Sequence, residues 1–489
     1  MFDVAKLGKG SALLSLGAAA SALLSFLILP ILARLLTPSD FGVAVVALSM
    51  LELGAVLGGT GAMAAAVTYF KNRGDDYDQS AFWISLFLGF CLGAVCVIYA
   101  NPMADFFGSP QSAPLIRVVG FLIPLEALAG ISEAFITRRQ QFGKVTVVKL
   151  IASIISVIAA LFLAFNGYGV WSLIWQYGLF VVLRFIAFLV LSGHKPRLVF
   201  STHAIREMLP YIFRITGAET FVWLSRQSPL LIVTNYLGVA SGGINRVSDR
   251  LTELPRQVFG ESIRKSLFVG VADVSDEDAA TGFLWALRLN FLILSPAYLG
   301  LISLAAPITD SVLGAQFAPF WPIVALFSLG QFVQLPFNCT QSFFQARGHA
   351  SAVFLLEGFR ALLIFVSVIL ACILFGTLWN AVLALGIAKL ISTIASLIYL
   401  RQEFSIGYSR MLNVISAPLI SALVMCVSTF LLYAYFLDPF GAFLSSFIGV
   451  SIGVSVYALA LYILSPSDFE EAHKMLLRFK TRLRTGTGS

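Results

Sequence analysis

Arg246, Asp249, Arg250, Glu253 and Arg256 sit inside one of the apolar spans of a chain built mostly of such spans. The stretch reads Gly243-Ile-Asn-Arg-Val-Ser-Asp-Arg-Leu-Thr-Glu-Leu-Pro-Arg-Gln-Val-Phe259. Spacings of three, four and seven place Arg246, Asp249, Arg250 and Glu253 on one helical face. A charge in hydrocarbon costs at least about 2.5 to 3.5 kcal/mol, so the stripe has to face protein or a water-filled cavity. That points to a transport pathway rather than a lipid-facing anchor. The preceding span adds Arg214, Glu219 and Arg226. Across the two spans five arginines, counting Arg214, Arg226, Arg246, Arg250 and Arg256, oppose Glu219, Asp249 and Glu253. Arginine grips phosphate oxygens bidentately, and a buried cationic excess implies an anionic ligand.

Other spans carry isolated charges: Glu52, Glu126 and Arg184 early in the chain, then Arg288, Glu357 and Arg360. Gln331, Gln334, Asn338 and Gln341 form a polar stripe. Glu357 and Arg360, three apart, read as a structural pair, and Arg117 and Arg256 as side chains that snorkel to the interface. Glu52, Glu126 and Glu219 are the candidates for coupling to a proton or sodium ion. Glu52 and Glu126 serve as readily as hydrogen-bonding groups between helices.

The elements that position these groups follow from composition. Of 489 residues 58% are hydrophobic and only 12% charged, about half the charge of a soluble domain. The apolar runs are too long, and alternate too little, for a β-barrel. The expected fold is an all-α polytopic membrane protein with about fourteen spans of about 20 residues each. The run at 11–36 follows Lys6 and Lys9 and is longer than a signal-peptide core, so it reads as a first span. With the N-terminus in the cytoplasm, every Lys- or Arg-bearing loop falls inside. The outer loops hold Asp40, Asp105, Asp310 and Asp438 and no Lys or Arg. This asymmetry orients the chain with both termini cytoplasmic.

The chain also repeats. Arg138-Arg-Gln-Gln-Phe-Gly-Lys144 and Gly167-Tyr-Gly-Val-Trp171 return as Phe344-Gln-Ala-Arg-Gly-His349 and Gly376-Thr-Leu-Trp379. The turn Leu35-Leu-Thr-Pro-Ser-Asp-Phe-Gly42 matches Tyr236-Leu-Gly-Val-Ala-Ser-Gly-Gly243. Six helices per repeat predict two lobes, 1–207 and 208–410, related by a pseudo-twofold along the membrane normal. Two additional helices (411–464) and a basic amphipathic tail (465–489) follow. Phe469, His473, Leu476 and Phe479 recur at helical spacing in that tail, which suits a helix lying on anionic lipids.

No P-loop, HExxH or extramembrane aspartate cluster is present, so the chain does not read as an enzyme. Cys91, Cys96, Cys339, Cys372 and Cys426 have no metal-site spacing. No cofactor, metal or nucleic-acid partner is expected. His194, His203, His349 and His473 read as solvated loop residues, and Gly58-Gly-Thr-Gly61 as a close-packing patch.

Arg34-Leu-Leu-Thr-Pro-Ser-Asp-Phe-Gly42, Arg138-Arg-Gln-Gln-Phe-Gly-Lys144, Gly167-Tyr-Gly-Val-Trp-Ser-Leu173 and Asn245-Arg-Val-Ser-Asp-Arg-Leu-Thr-Glu-Leu-Pro255 together resemble the Wzx-type polysaccharide transporters of the MOP superfamily. The colanic-acid and succinoglycan exporters show the pattern best. The resemblance spans nearly the whole chain. It implies a flippase that moves undecaprenyl-pyrophosphate-linked oligosaccharide repeat units across the bacterial inner membrane by ion-coupled alternating access. Arg214, Arg226, Arg246, Arg250 and Arg288 would then bind the pyrophosphate. A polysaccharide polymerase and export machinery are the implied protein partners. Relatives often carry an acid directly after the Arg226 position, whereas this chain reads Arg226-Gln-Ser-Pro229. A multidrug antiporter of the same superfamily and a lipid II flippase are the rival transporters. A membrane glycosyltransferase would need a soluble loop or interfacial acids.

Overall fold

Thr37 and Asp40 open the first well-defined helix. The Asp40 amide donates to the Thr37 hydroxyl at 3.3 Å and the Thr37 amide donates to the Asp40 carboxylate at 2.9 Å. This reciprocal cap satisfies two amides that a helix start leaves without intrahelical partners. The computed structural model describes residues 24 and 27–466, except 59, 71–72, 195–196, 198, 273 and 438–440. The basic tail expected at 465–489 therefore lies almost wholly outside the described residues. Among the described residues every regular element is helical, as expected. Eleven helical stretches are long and apolar enough to cross a membrane, and they coincide with the apolar runs expected near 41–68, 80–104, 113–136, 146–165, 169–192, 280–305, 319–344, 351–375, 378–400, 412–437 and 442–464. The first span is described only as helix over 27–35. The runs expected near 208–235 and 240–260 lie in the helices Thr202–Leu237 and Val239–Pro255, which carry several charges.

The chain divides into two compact units, 1–250 with 357–385 and 251–356 with 386–489. The first unit contains α1 (Pro38–Leu57), α2 (Thr60–Tyr69), α3 (Asp75–Ile98), α4 (Ala100–Phe106), α5 (Ala113–Arg138), α6 (Phe142–Phe165), α7 (Trp171–Ser192) and α8 (Thr202–Leu237). α9 (Val239–Pro255) starts in this unit. α1 and α2 together fill what reads as one span, interrupted at Gly58, whose amide closes back on Gly54. α3 lies directly on α5. A Cβ on Gly93 would come within 2.4 Å of the Gly120 carbonyl oxygen, so these helices meet backbone to backbone.

The matched turns of the repeat touch one another. A Cβ on Gly42 would stand 1.8 Å from the Val239 carbonyl oxygen, and one on Gly243 would stand 1.7 Å from that of Pro38. Pro38 and Gly42 face Val239 and Gly243 reciprocally, which is the pattern a local twofold produces.

The second unit takes the end of α9, a π-helical turn at Arg256–Gly260, α10 (Glu261–Val271), α11 (Asp276–Ser303), α12 (Ala305–Leu313), α13 (Trp321–Val333) and α14 (Leu335–Ala346). α15 (Ala350–Phe375) and α16 (Leu378–Phe404) straddle the division, and α17 (Tyr408–Leu432) and α18 (Ala442–Leu464) complete the unit. Its core is aromatic, with Phe283, Tyr298, Phe343 and Phe344 fully buried. α17 packs on α11 through a Ser303–Thr429 hydroxyl pair at 2.7 Å.

Three expectations need correction here. The apolar run at 240–260 is expected to form one helix, with Arg264 and Lys265 in the cytoplasmic loop after it, but the helix does not end near 260. Pro255 interrupts the helical ladder, the chain widens by one π turn, and α10 carries it to Val271. Arg264 and Lys265 are thus helical rather than in a loop. Arg256 does not snorkel: it bridges Glu253 and Glu261, the latter at 2.8 Å. Among the histidines, His194 is stacked on Phe135 at 4.4 Å rather than solvated, and burial pushes its pKa below the ordinary value. His349 lies 3.7 Å from the Glu403 carboxylate.

A side-chain clasp recurs in each unit. Arg138, ending α5, donates to both Asp78 oxygens at 2.8 and 2.6 Å and to the Val67 carbonyl at 3.2 Å. Arg347, after α14, donates to the Val271 and Val274 carbonyls at 3.3 and 2.8 Å and pairs with Asp276. In both units an arginine ties the end of one helix to the start of the next, where a carboxylate also favours the helix dipole.

Candidate functional site

Positions 41, 44, 45, 48, 49 and 52 form one face of α1, and that face walls a cavity of about 30 Å³. Leu173 and Tyr177 of α7, Gln227 of α8, and Arg246 and Arg250 of α9 complete the lining. Arg246 and Arg250, one helical turn apart, therefore line the same cavity as Glu52. The Gln227 side-chain amide donates to the Glu52 carboxylate. The Ser49 hydroxyl donates to the Gln227 side-chain carbonyl at 3.1 Å. Ser49 is 2% exposed and Gln227 5%, so this chain of bonds is held in the packed interior. Two guanidinium groups at a small chamber can present a fork of donors to an anionic oxygen cluster.

A second, larger cavity of about 710 Å³ lies in the same unit between α2 and α5. Its walls include Thr60, Thr68, Tyr69, Glu126, Glu133, Thr137, Arg184 and Tyr211. Glu126 pairs with Arg184 at 2.8 Å, the two side chains being 18% and 12% exposed. Glu133, two turns along α5, pairs with Lys149 of α6. Tyr69 and Tyr211 stack with ring centres 4.9 Å apart. Gly61 leaves room for Glu219, whose carboxylate oxygen would stand 2.1 Å from a Cβ there. The close-packing reading of the Gly58–Gly61 patch thus applies at Gly61.

The arginines proposed from the sequence divide among these places. Arg246 and Arg250 line the small cavity, whereas Arg214 and Arg226 are exposed on α8 and Arg288 is half-buried on α11, and none of these three lines either cavity. Glu52, Glu126 and Glu219 are likewise apart: one beside the arginines, one locked to Arg184, one against Gly61. Glu357 and Arg360 are paired at 3.6 Å, as expected.

Four polar residues escaped the sequence reading: Ser49, Glu133, Lys149 and Lys389. Ser49 carries no charge and so drew no attention, and Gln227 stood out only as the neutral residue after Arg226. Glu133 and Lys149 sit near span ends. Lys389, 7% exposed, lies mid-span in α16 against Gly330. The rule that singled out Arg246, applied to 378–400, finds it.

Breaking the Glu126–Arg184 pair has a predictable outcome. Arg184→Ala leaves a buried carboxylate without its partner, a loss of about 3–5 kcal/mol. Arg184→Leu combined with Glu126→Gln removes both charges and recovers most of it. Thermal midpoints of the purified proteins report this, and equal midpoints for Arg184→Ala and the parent would refute it.

Comparison with known proteins places this arrangement. Residues 31–322 match the family described as polysaccharide biosynthesis protein. The succinoglycan biosynthesis transport protein ExoT of Rhizobium meliloti is 26% identical over 447 residues, covering 90% of this chain and 89% of that one. The lipopolysaccharide biosynthesis protein WzxC of Escherichia coli is 19% identical, with 75% of each covered. Among solved structures, a lipid II flippase, MurJ, in an inward closed conformation superposes with a TM-score of 0.76 at 18% identity, over 92% of this chain and 98% of that one. An inward-facing multidrug resistance transporter of the MOP superfamily gives 0.57 at 16% identity, over 80% of this chain and 94% of that one. The helices, their apolar spans and these relatives make this a multi-pass membrane protein with the fold of those two solved transporters. With well over half its length matched by that family, the chain belongs to the polysaccharide biosynthesis proteins.

Proposed function

We propose that this protein is a flippase that carries undecaprenyl-pyrophosphate-linked oligosaccharide repeat units from the cytoplasmic to the periplasmic leaflet of the bacterial inner membrane. The observation that carries the reading is the pair Arg246 and Arg250 at one cavity inside an apolar helical protein. Fixed guanidinium groups substitute for water around a diphosphate that must cross a low-dielectric layer. The names of the two relatives, one in succinoglycan and one in lipopolysaccharide biosynthesis, support the substrate class. Arg214, Arg226 and Arg288 would meet the diphosphate at other stages of the cycle. The sugars would occupy aqueous space and the polyprenyl tail would stay in lipid. Transport would be alternating access driven by protons or sodium ions, with Glu52, Glu126 and Glu219 as the coupling candidates. Both termini would be cytoplasmic, the tail on anionic lipids, with a polymerase and export machinery taking the product.

The test is the fate of the lipid carrier. A cell lacking the chain should accumulate its lipid-linked repeat unit on the cytoplasmic leaflet and lose polymer, while lipid II keeps crossing. Accumulated lipid II would transfer the reading to the peptidoglycan flippase. Unchanged polymer with altered drug tolerance would transfer it to the antiporter.

A further inference from the structure

Glu52 presents a negative charge where an anion is meant to bind. Its side chain lines the same chamber as Arg246 and Arg250, and the chamber offers about 30 Å³, room for about one water molecule and far too little for a diphosphate. Glu52 is also held. Because the Ser49 hydroxyl donates to the carbonyl of Gln227, the amide is turned with its NH2 toward the Glu52 carboxylate. Both ends of the amide are used, and Ser49 and Gln227 are buried.

We propose that Glu52 is a built-in anion that occupies the arginine site when the transporter is empty, with Gln227 and Ser49 as its latch, and that a diphosphate binds by displacing it. The proposal rests on the reading of Arg246 and Arg250 as the phosphate site. Two guanidinium groups drawn out of water need counter-charge, and a tethered carboxylate supplies it between substrates. A diphosphate brings more charge and more acceptor oxygens than one carboxylate, so it prevails on arrival. Glu52 returns as it leaves, which weakens binding and speeds release. The neutral Gln227 holds the carboxylate through its amide without adding a charge of its own.

The experiment measures binding of inorganic pyrophosphate by calorimetry to the purified full chain in lipid nanodiscs. Glu52→Gln should bind it about tenfold more tightly, since one competing charge is gone. Gln227→Leu keeps the carboxylate and removes the latch, and should tighten binding by a smaller factor, about threefold. Arg250→Ala should lose it. If Arg250→Ala loses binding while Glu52→Gln binds as the parent does, or more weakly, the built-in anion is wrong and the phosphate site stands. If neither Arg246→Ala nor Arg250→Ala alters binding, the phosphate site falls and this inference with it. Should Glu52→Gln fail to accumulate, Gln227→Leu decides, and parental or weaker affinity overturns the proposal.

Discussion

Arg246→Ala and Arg250→Ala should each abolish polymer export while the protein still accumulates in the membrane. Each guanidinium offers several charge-assisted hydrogen bonds, worth about 1.5–3 kcal/mol apiece, so removing one should lower transport by at least about 100-fold. Lysine at either position returns the charge without the planar fork and should restore only part of the activity. The structural alternative treats the arginines as helix ties, paired with neighbours such as Asp249. It requires protein levels to fall along with export. Export measured beside membrane abundance separates the two, and normal export from both alanine variants would eliminate the site.

What the sequence made legible, and what it hid, follows from where the energy lies. A charged residue in an apolar run has so few acceptable environments that Arg246 and Arg250 could be assigned to a protected space from spacing alone, and they line one cavity. The helical spans are legible for the same reason: long apolar runs have no other stable form in lipid. The expected repeat rests on its turns, since apolar helices resemble one another by composition alone. Arg138 and Arg347 make the same clasp on Asp78 and Asp276. Sequence spacing could not place Arg214, Arg226 and Arg288 relative to the cavity, because a helical face is defined only against its neighbours. Arg256 illustrates this: the π turn after Pro255 rotates it onto Glu253 and Glu261, a change of phase that a uniform helix of period 3.6 does not contain. Ser49, and the bonds that Gln227 makes, were hidden for a different reason. Neutral polar side chains are cheap in a membrane helix, so their presence signals nothing until a partner such as Glu52 is seen.

The glycines of the two matched turns should tolerate substitution worst. At Gly42 and Gly243 a Cβ would stand 1.8 and 1.7 Å from backbone oxygens of Val239 and Pro38, atoms that cannot rotate aside as a side chain can. Even alanine must push the start of α1 from the start of α9 by more than about 1 Å to reach ordinary contact distance. Overpacking of this kind costs about 1–3 kcal/mol where side chains can yield, and more where backbone must move. Gly42→Val and Gly243→Val should therefore each lower the thermal midpoint and the membrane yield severely, with the alanine variants intermediate. Both residues guard one contact, so the double alanine variant should cost less than the sum of the singles, because the separation forced by the first makes room for the second. Gly217 serves as the control. It sits within α8 with nothing inside 4 Å of its Cβ position, and Gly217→Ala should be neutral or stabilising by up to about 1 kcal/mol through helix propensity alone. Valine variants at 42 and 243 that melt with the parent protein would show that the two turns do not bear on one another. Strictly additive alanine variants would show that each glycine acts separately rather than as half of a twofold pair.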